Sequence, residues 1–497
     1  MTTDAPVSAR EIRSVYLALM AVLGLGALDQ SIVATALPRI VGDLGGMAHL
    51  SWVVTAYVLA STATMPLYGK LADQYGRRPM IFTALATFLL GSVLCGFAQS
   101  MTQLILFRAV QGMGSGGFMP LAQIIIGDLV PPKERARRQG SIAIVFAVTS
   151  VLGPVLGGMM TDLLSWHWIF FINLPVGALA FYAIAHSLRK PAVTHAHRID
   201  YLGSVLLTVS ITALLLILAL GGTEWAWDSV QVEVCAALAV VLGGWLLVHL
   251  RRAAEPVLPP DLFANRVFNV ASIVMALTFM GLMGASVFFP LFFQLVMGSS
   301  PAHSGMMTVA MMVGMITSST FNGRVLSHSG KYKAVQVGGL AAAVLAFAVL
   351  AWGMDTARGY WIIEPAIFLL GAGLGLVMPN MTIAVQNALP VPRRGVGTAM
   401  LTFFRSLGGL LGVTGSGAIL AHQVHAHGIA QVARAGAHGA GALPAVQALT
   451  VEVYRHAIAN IFGAGALIVL AGLIALLFLP ELPLTGHAAP TPAPPAE

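Results

Sequence analysis

Three charged residues stand deep inside long apolar stretches of this 497-residue chain: Asp29, Arg108 and Arg405. A charge at the centre of a bilayer costs about 2.5–3.5 kcal/mol on insertion scales, so such a residue faces a cavity or a partner. For a carboxylate, burial disfavours the ionised form and a nearby cation favours it. Together these allow reversible uptake of a proton. The plainer reading of Asp29 is a carboxyl tied to a neighbouring helix. By depth, Asp29 sits about 12 Å and Arg108 about 8 Å below the same end of their helical runs, which makes Arg108 the candidate partner. Gln111 lies one helical turn along Arg108's face, at Asp29's level. A static ion pair is the alternative to a proton switch. Arg405 lies about 14 Å inside its own run with no acid at matching depth in the C-terminal runs. It could bind an anionic group, face water or hydrogen-bond backbone carbonyls, and the sequence does not choose.

The elements that must carry these residues are membrane helices. Only 9% of residues are charged, 57% are hydrophobic and the mean hydropathy is +0.85, against about 25% charged residues in an ordinary soluble chain. Fourteen apolar runs of bilayer-crossing length fall near residues 14–37, 50–69, 80–99, 103–127, 139–161, 168–188, 201–221, 230–250, 268–297, 303–323, 334–353, 360–386, 396–421 and 457–480. Continuous apolarity without period-2 alternation argues helices rather than a barrel. What remains between the runs is too broken for a soluble catalytic domain, and nucleic-acid binding and a disulfide framework are excluded with it. Cys95 and Cys235 both lie within runs.

Orientation follows from the 26 basic residues. With the N-terminus inside, twenty fall in cytoplasmic loops and four (Arg39, Arg358, Arg434 and Arg455) outside. The bias places both termini in the cytoplasm and accounts for the net charge of +7 without a nucleic-acid partner. The organisation expected is a cytoplasmic segment 1–13, a six-helix half 14–188, a linker 189–267 with two extra helices, and a second six-helix half 268–480. A long external loop spans 422–456, where Ala445–Asn460 reads as a short amphipathic helix on the membrane surface. The Pro/Ala-rich tail 481–497 is expected to be disordered.

Further spacings carry weaker signals. GPVLGG places Gly153, Pro154, Gly157 and Gly158 in one helix, small residues for close approach and a proline for a kink. FFPLFF (Phe288 to Phe293) and the methionines Met306, Met307, Met311, Met312 and Met315 suit an adaptable apolar pocket, or equally plain packing against lipid. His422, His425 and His427 match no specific zinc spacing, and no metal site is assigned.

Taken together these motifs resemble the major facilitator superfamily, and within it the 14-helix drug:proton antiporter branch (EmrB/QacA type), from the first helix to the last. LDQSIVATALPRI resembles that branch's helix-1 motif, with Asp29 at its carboxylate. LILFRAVQGMGSG resembles the helix-4 motif, with Arg108 as its arginine, and GPVLGG resembles the antiporter motif. WHWIFFINLPVG resembles the helix-6 entry, with His167 where arginine is usual. GKLADQYGRR resembles the signature between helices 2 and 3. The resemblance implies that this signature latches the two halves in the outward-facing state: Asp73 near a helix terminus of the C-terminal half, Arg77 near Asp128. Gly69, Gly76 and Arg78 complete the motif. NGRVLSHSGKYK looks like a second copy that has lost its acid, and the acid that some relatives use for divalent cations is absent from helix 10.

The expectation is therefore an all-α polytopic protein with fourteen transmembrane helices in the bacterial inner membrane. It would export lipophilic, cationic or neutral small molecules in exchange for protons. Asp29 and Arg108 are the coupling pair, and Gln111, Arg405, Met311, Phe288 and Phe292 the substrate cavity. No cofactor is expected: no GxxxxGK[ST] motif is present for nucleotide-driven export, and no nucleophile, base and orienting group share a recognisable spacing. A periplasmic adaptor is left open as partner. The rival readings are a dedicated exporter of one endogenous metabolite, lipid or siderophore, and a transporter-like sensor or assembly protein.

Overall fold

A computed structural model of the chain describes residues 9–45, 50–130, 132–187, 200–222, 224–299, 301–329, 332–356, 360–426 and 443–483. Seventeen α-helices are described: α1 (Ala9–Leu44), α2 (Leu50–Tyr75), α3 (Arg77–Gly96), α4 (Met101–Ser115), α5 (Phe118–Leu129), α6 (Pro132–Leu163), α7 (Trp168–Phe171), α8 (Asn173–Ser187), α9 (Tyr201–Leu220), α10 (Val230–Leu250), α11 (Pro260–Ala264), α12 (Arg266–Leu295), α13 (Pro301–Ser329), α14 (Lys333–Asp355), α15 (Tyr360–Ala388), α16 (Arg394–Ala426) and α17 (Leu443–Leu477). Among the described residues there is no strand, only an isolated bridge between Gly221 and Trp225.

Ten of these segments are long and apolar enough to cross a membrane: α1, α3, α7 with α8, α9, α10, α12, α14, α15, α16 and α17. The other four apolar runs lie on α2, on α4 with α5, on α6 and on α13, all helical. The run at 103–127 is not one rod: it breaks at Gly116–Gly117 into two helices, each shorter than a crossing. Ala445–Asn460 is likewise not a separate surface helix but the first turns of α17, because nothing between it and the apolar run breaks the helix. The terminal segments 1–8 and 484–497, linker residues 188–199 and loop residues 427–442 lie outside the described residues, and with them His427.

Packing groups the helices by sequence. In the N-terminal set α1 lies against α6 and α8, and α4 against α2 and α3; in the C-terminal set α12 packs on α16 and α17, α13 on α15, and α14 on α15 and α17. The sets meet where α2 and α5 touch α16 and where α6 touches α13. Helices α9 and α10 pair with each other, and α9 rests on α2 and α16. The N-terminal set has two apolar clusters, one including Val15 to Leu25 of α1 and the other Ile32 to Ile40. Asp29 falls on the stretch of α1 between them.

Candidate functional site

The carboxylate layer is built by three features of α4. Ser100 caps its start by accepting from the Gln103 amide. Arg108 and Gln111, three residues apart, project from one face. Gly112 presses on the Tyr57 backbone of α2, and Gly91 of α3 presses on the Gln111 backbone, leaving no space for a Cβ at either position. That approach drives both polar side chains into the wall of α1. Arg108 Nη1 donates to Asp29 Oδ2 at 2.6 Å and to Gln111 Oε1 at 2.7 Å, and its Nε to the Val53 carbonyl at 3.2 Å. Its guanidinium lies 4.2 Å from the Tyr57 ring centroid. Gln111 Nε2 and Asn173 Nδ2 both donate to Asp29 Oδ1, at 2.7 and 2.9 Å, and both reach Ser92 Oγ, which donates to the Phe170 carbonyl. Asp29, Gln111, Ser92 and Asn173 are fully buried and Arg108 is 1% exposed.

So Asp29 is held by one cation and two amides, while Arg108 keeps three contacts that do not depend on Asp29. A proton placed on Asp29 would convert the ion pair to a neutral hydrogen bond without stranding the arginine. Sequence reasoning missed Ser92 and Asn173. Their signal was a neutral polar residue within an apolar run, the second inside the quoted FFINLP.

At the α2–α3 connection Asp73 accepts from the backbone amides of Gly395 and Val396, at 3.0 and 2.8 Å. These amides open α16, where unpaired N–H groups and the helix dipole favour an anion. Arg77 pairs with Asp73 at 3.1 Å and with Asp128 at 2.9 Å, and also donates to the Ala72 carbonyl. Arg78 instead donates to the Ala185 carbonyl of α8 and is not part of this junction. Gly76 has φ 91°, a backbone that glycine tolerates best. Gly69 lies against Ala399 and the Gly395 carbonyl, so α2 and α16 touch there with no space for a side chain. Burial pushes the Asp73 carboxyl up to about 7, opposed by Arg77 and by the Val396 and Gly395 amides.

One turn deeper along α5, Gln123 joins the same junction. Its carbonyl accepts from Gln386 Nε2 at 3.1 Å, and Gln386 also donates to Thr398. Beyond it lies a cavity of about 480 Å³ between the two sets, walled by α5, α6, α12, α13, α15 and α16. Seven methionines line it, among them Met311, Met312 and Met315, and Arg405 enters from α16. Met307 is buried elsewhere, and the Met306 side chain is outside the described residues.

Three residues expected at the cavity do not line it. Gln111 belongs to the Asp29 layer. Phe288 and Phe292 are buried in the apolar core of the C-terminal set, because α12 turns those positions toward its neighbours and offers the cavity Phe279, Leu282, Met283 and Ser286 instead. GPVLGG divides similarly. Gly153 and Gly157 pack on Ser31 and on Ile32 and Thr35 of α1, just beyond Asp29, whereas a Cβ at Gly158 would meet nothing within 4 Å among the described residues. The Pro154 side chain is outside the described residues. Among the described residues no group of three or more His, Cys, Asp or Glu could hold a metal ion.

Residues 19–413 match the family model described as Major Facilitator Superfamily. The chain is 39% identical over 402 residues to the "Multidrug transporter protein MdtP" of Bacillus subtilis, covering 81% of this chain and 74% of that protein. It is 37% identical over 413 residues to "Multidrug resistance protein 3" of the same organism, covering 82% and 80%. Among solved structures, the proton:xylose symporter XylE superposes with a TM-score of 0.63 at 12% identity, over 96% of this chain and 98% of that one, a likeness of fold alone.

Proposed function

The chain belongs to the Major Facilitator Superfamily and is a polytopic membrane transporter with multidrug-efflux relatives, and from that premise we propose a proton-coupled efflux antiporter of the 14-helix drug:proton branch. It exports lipophilic small molecules across the bacterial inner membrane, with both termini cytoplasmic and two six-helix halves flanking the α9–α10 pair. The observation that carries this reading is the fully buried Asp29, paired with Arg108 at 2.6 Å. Arg108, Gln111 and Asn173 all turn donors onto its two oxygens. When the halves rearrange and the guanidinium falls back on Gln111, Val53 and Tyr57, Asp29 takes a proton.

The Asp73 junction closes the cytoplasmic end, so the cavity belongs to an outward-facing or occluded stage of alternating access. Gly153 and Gly157 tie α6 to the turn of α1 that follows the coupling acid. The decisive experiment is gradient-driven transport in proteoliposomes with a panel of cationic, neutral and anionic lipophilic dyes. The parent should move at least one dye when a pH gradient is imposed, and Asp29→Asn at matched reconstitution should lose that dependence. Undiminished gradient-driven transport in Asp29→Asn would move the proton site elsewhere. No transport of any dye would sink the multidrug reading.

A further inference from the structure

The cavity contains a cation and no counter-charge. Arg405 lines it, and its Nε is buried with no hydrogen-bond partner among the described residues. Its guanidinium lies 5.1 Å from the Phe279 ring centroid. Cation–π contact offsets only part of the cost of desolvating a guanidinium. No lining residue is acidic; the other polar ones are Gln123, Ser286, Ser319 and Thr382. Ser319 of α13 is 2% exposed, and its hydroxyl also lacks a partner among the described residues. Two donors without a partner among the described residues, one of them charged, thus share one methionine-rich space.

Groups of this kind are costly unless something that enters the cavity satisfies them. A lipophilic cation would meet repulsion from Arg405 and find no carboxylate. A neutral lipophile would leave the guanidinium as it is. An amphiphilic anion pairs with the guanidinium and buries its body against the thioethers. We propose that this cavity selects lipophilic organic monoanions, an acid group on an apolar body, with Arg405 as the charge-recognising residue. The proposal rests on the transport reading above and replaces the cationic preference expected from the sequence. Arginine suits the task because its planar fork can hold a carboxylate or sulfonate bidentately and never loses its charge.

The test is binding to the purified full-length protein by a matched pair of probes, dansylglycine (anion) and dansylglycinamide (neutral). The parent should bind the anion at least tenfold more tightly. Arg405→Met should erase that ratio while leaving amide binding in place, and Arg405→Lys should retain part of it. If Arg405→Met does not fold, the parent's own anion-to-amide ratio decides. Equal binding of the two probes by the parent overturns the inference. A competition arm identifies the source of the anion: displacement by phosphatidylglycerol but not phosphatidylcholine points to a lipid headgroup, and no displacement by either to a soluble acid. Transport of dyes without anion preference refutes this inference alone. Anion preference without gradient-driven transport of any dye refutes the antiporter reading instead.

Discussion

At the scale of single residues, the Asp29–Arg108 pair is a buried ion pair whose worth appears only when one partner is removed. Arg108→Met leaves a buried carboxylate without its cation, and such a loss costs about 3–5 kcal/mol. Adding Asp29→Asn removes the orphaned charge, so the double variant should unfold at a higher temperature than Arg108→Met alone. A thermal-unfolding series of parent, both single variants and the double checks this, and strict additivity would mean that the two side chains act independently. The pair was legible in the sequence because a charge in an apolar run is rare and depth along a helix is simple geometry. Ser92 and Asn173 were not, since neutral polar residues occur in many membrane helices and only the three-dimensional packing shows which of them meet. The exchange of Phe288 and Phe292 for Phe279 and Met283 has a related cause: a helix apolar all round gives no signal for which face meets a cavity.

At the scale of elements, glycines decide which helices touch. Gly153→Val should force α6 away from Ser31 and cost about 1–3 kcal/mol through overpacking. Gly158→Val, with open space around it, should stay within about 0.5 kcal/mol. Unfolding midpoints of the two variants separate them, and equal losses would remove the packing argument. The motif GPVLGG was visible in sequence, but its division of labour depended on the phase of α6 against α1. The break at Gly116–Gly117 was legible only as a pair of glycines. The Asp73 junction adds a pH dependence. Its carboxyl sits at about 7 when buried against α16 and at about 4 when released to water. Closure therefore takes up a proton between those values. Its contribution is full below about pH 4 and is lost as pH rises through 7. A reporter pair at the exposed positions Thr83 and Val391 should show the junction opening as pH increases from 5 to 8. Asp73→Asn should flatten that response, and a steeper response in the variant would assign the titration to another group.

At the scale of the whole molecule, the orientation inferred from basic residues can be checked at two exposed positions. Val391 lies at the end that carries the Asp73 junction, and Trp361, in the first turn of α15, is 93% exposed. In intact cells a membrane-impermeant maleimide should label Trp361→Cys and spare Val391→Cys; the reverse pattern would invert the topology. Both native cysteines are buried, so background labelling should be low. The Asp73 contact between the two helix sets is contributed unequally: one set supplies the Asp73 side chain, the other the backbone amides of Gly395 and Val396. An amide is present whatever side chain follows it, so mutation on the α16 side cannot delete those donors unless it introduces proline. Genetic screens will therefore register this contact at Asp73 and at Gly395, where any added side chain would crowd the Asp73 carboxylate. Revertants of Asp73→Asn should be found where they rebalance the two conformations, far from the residues that made the lost bonds.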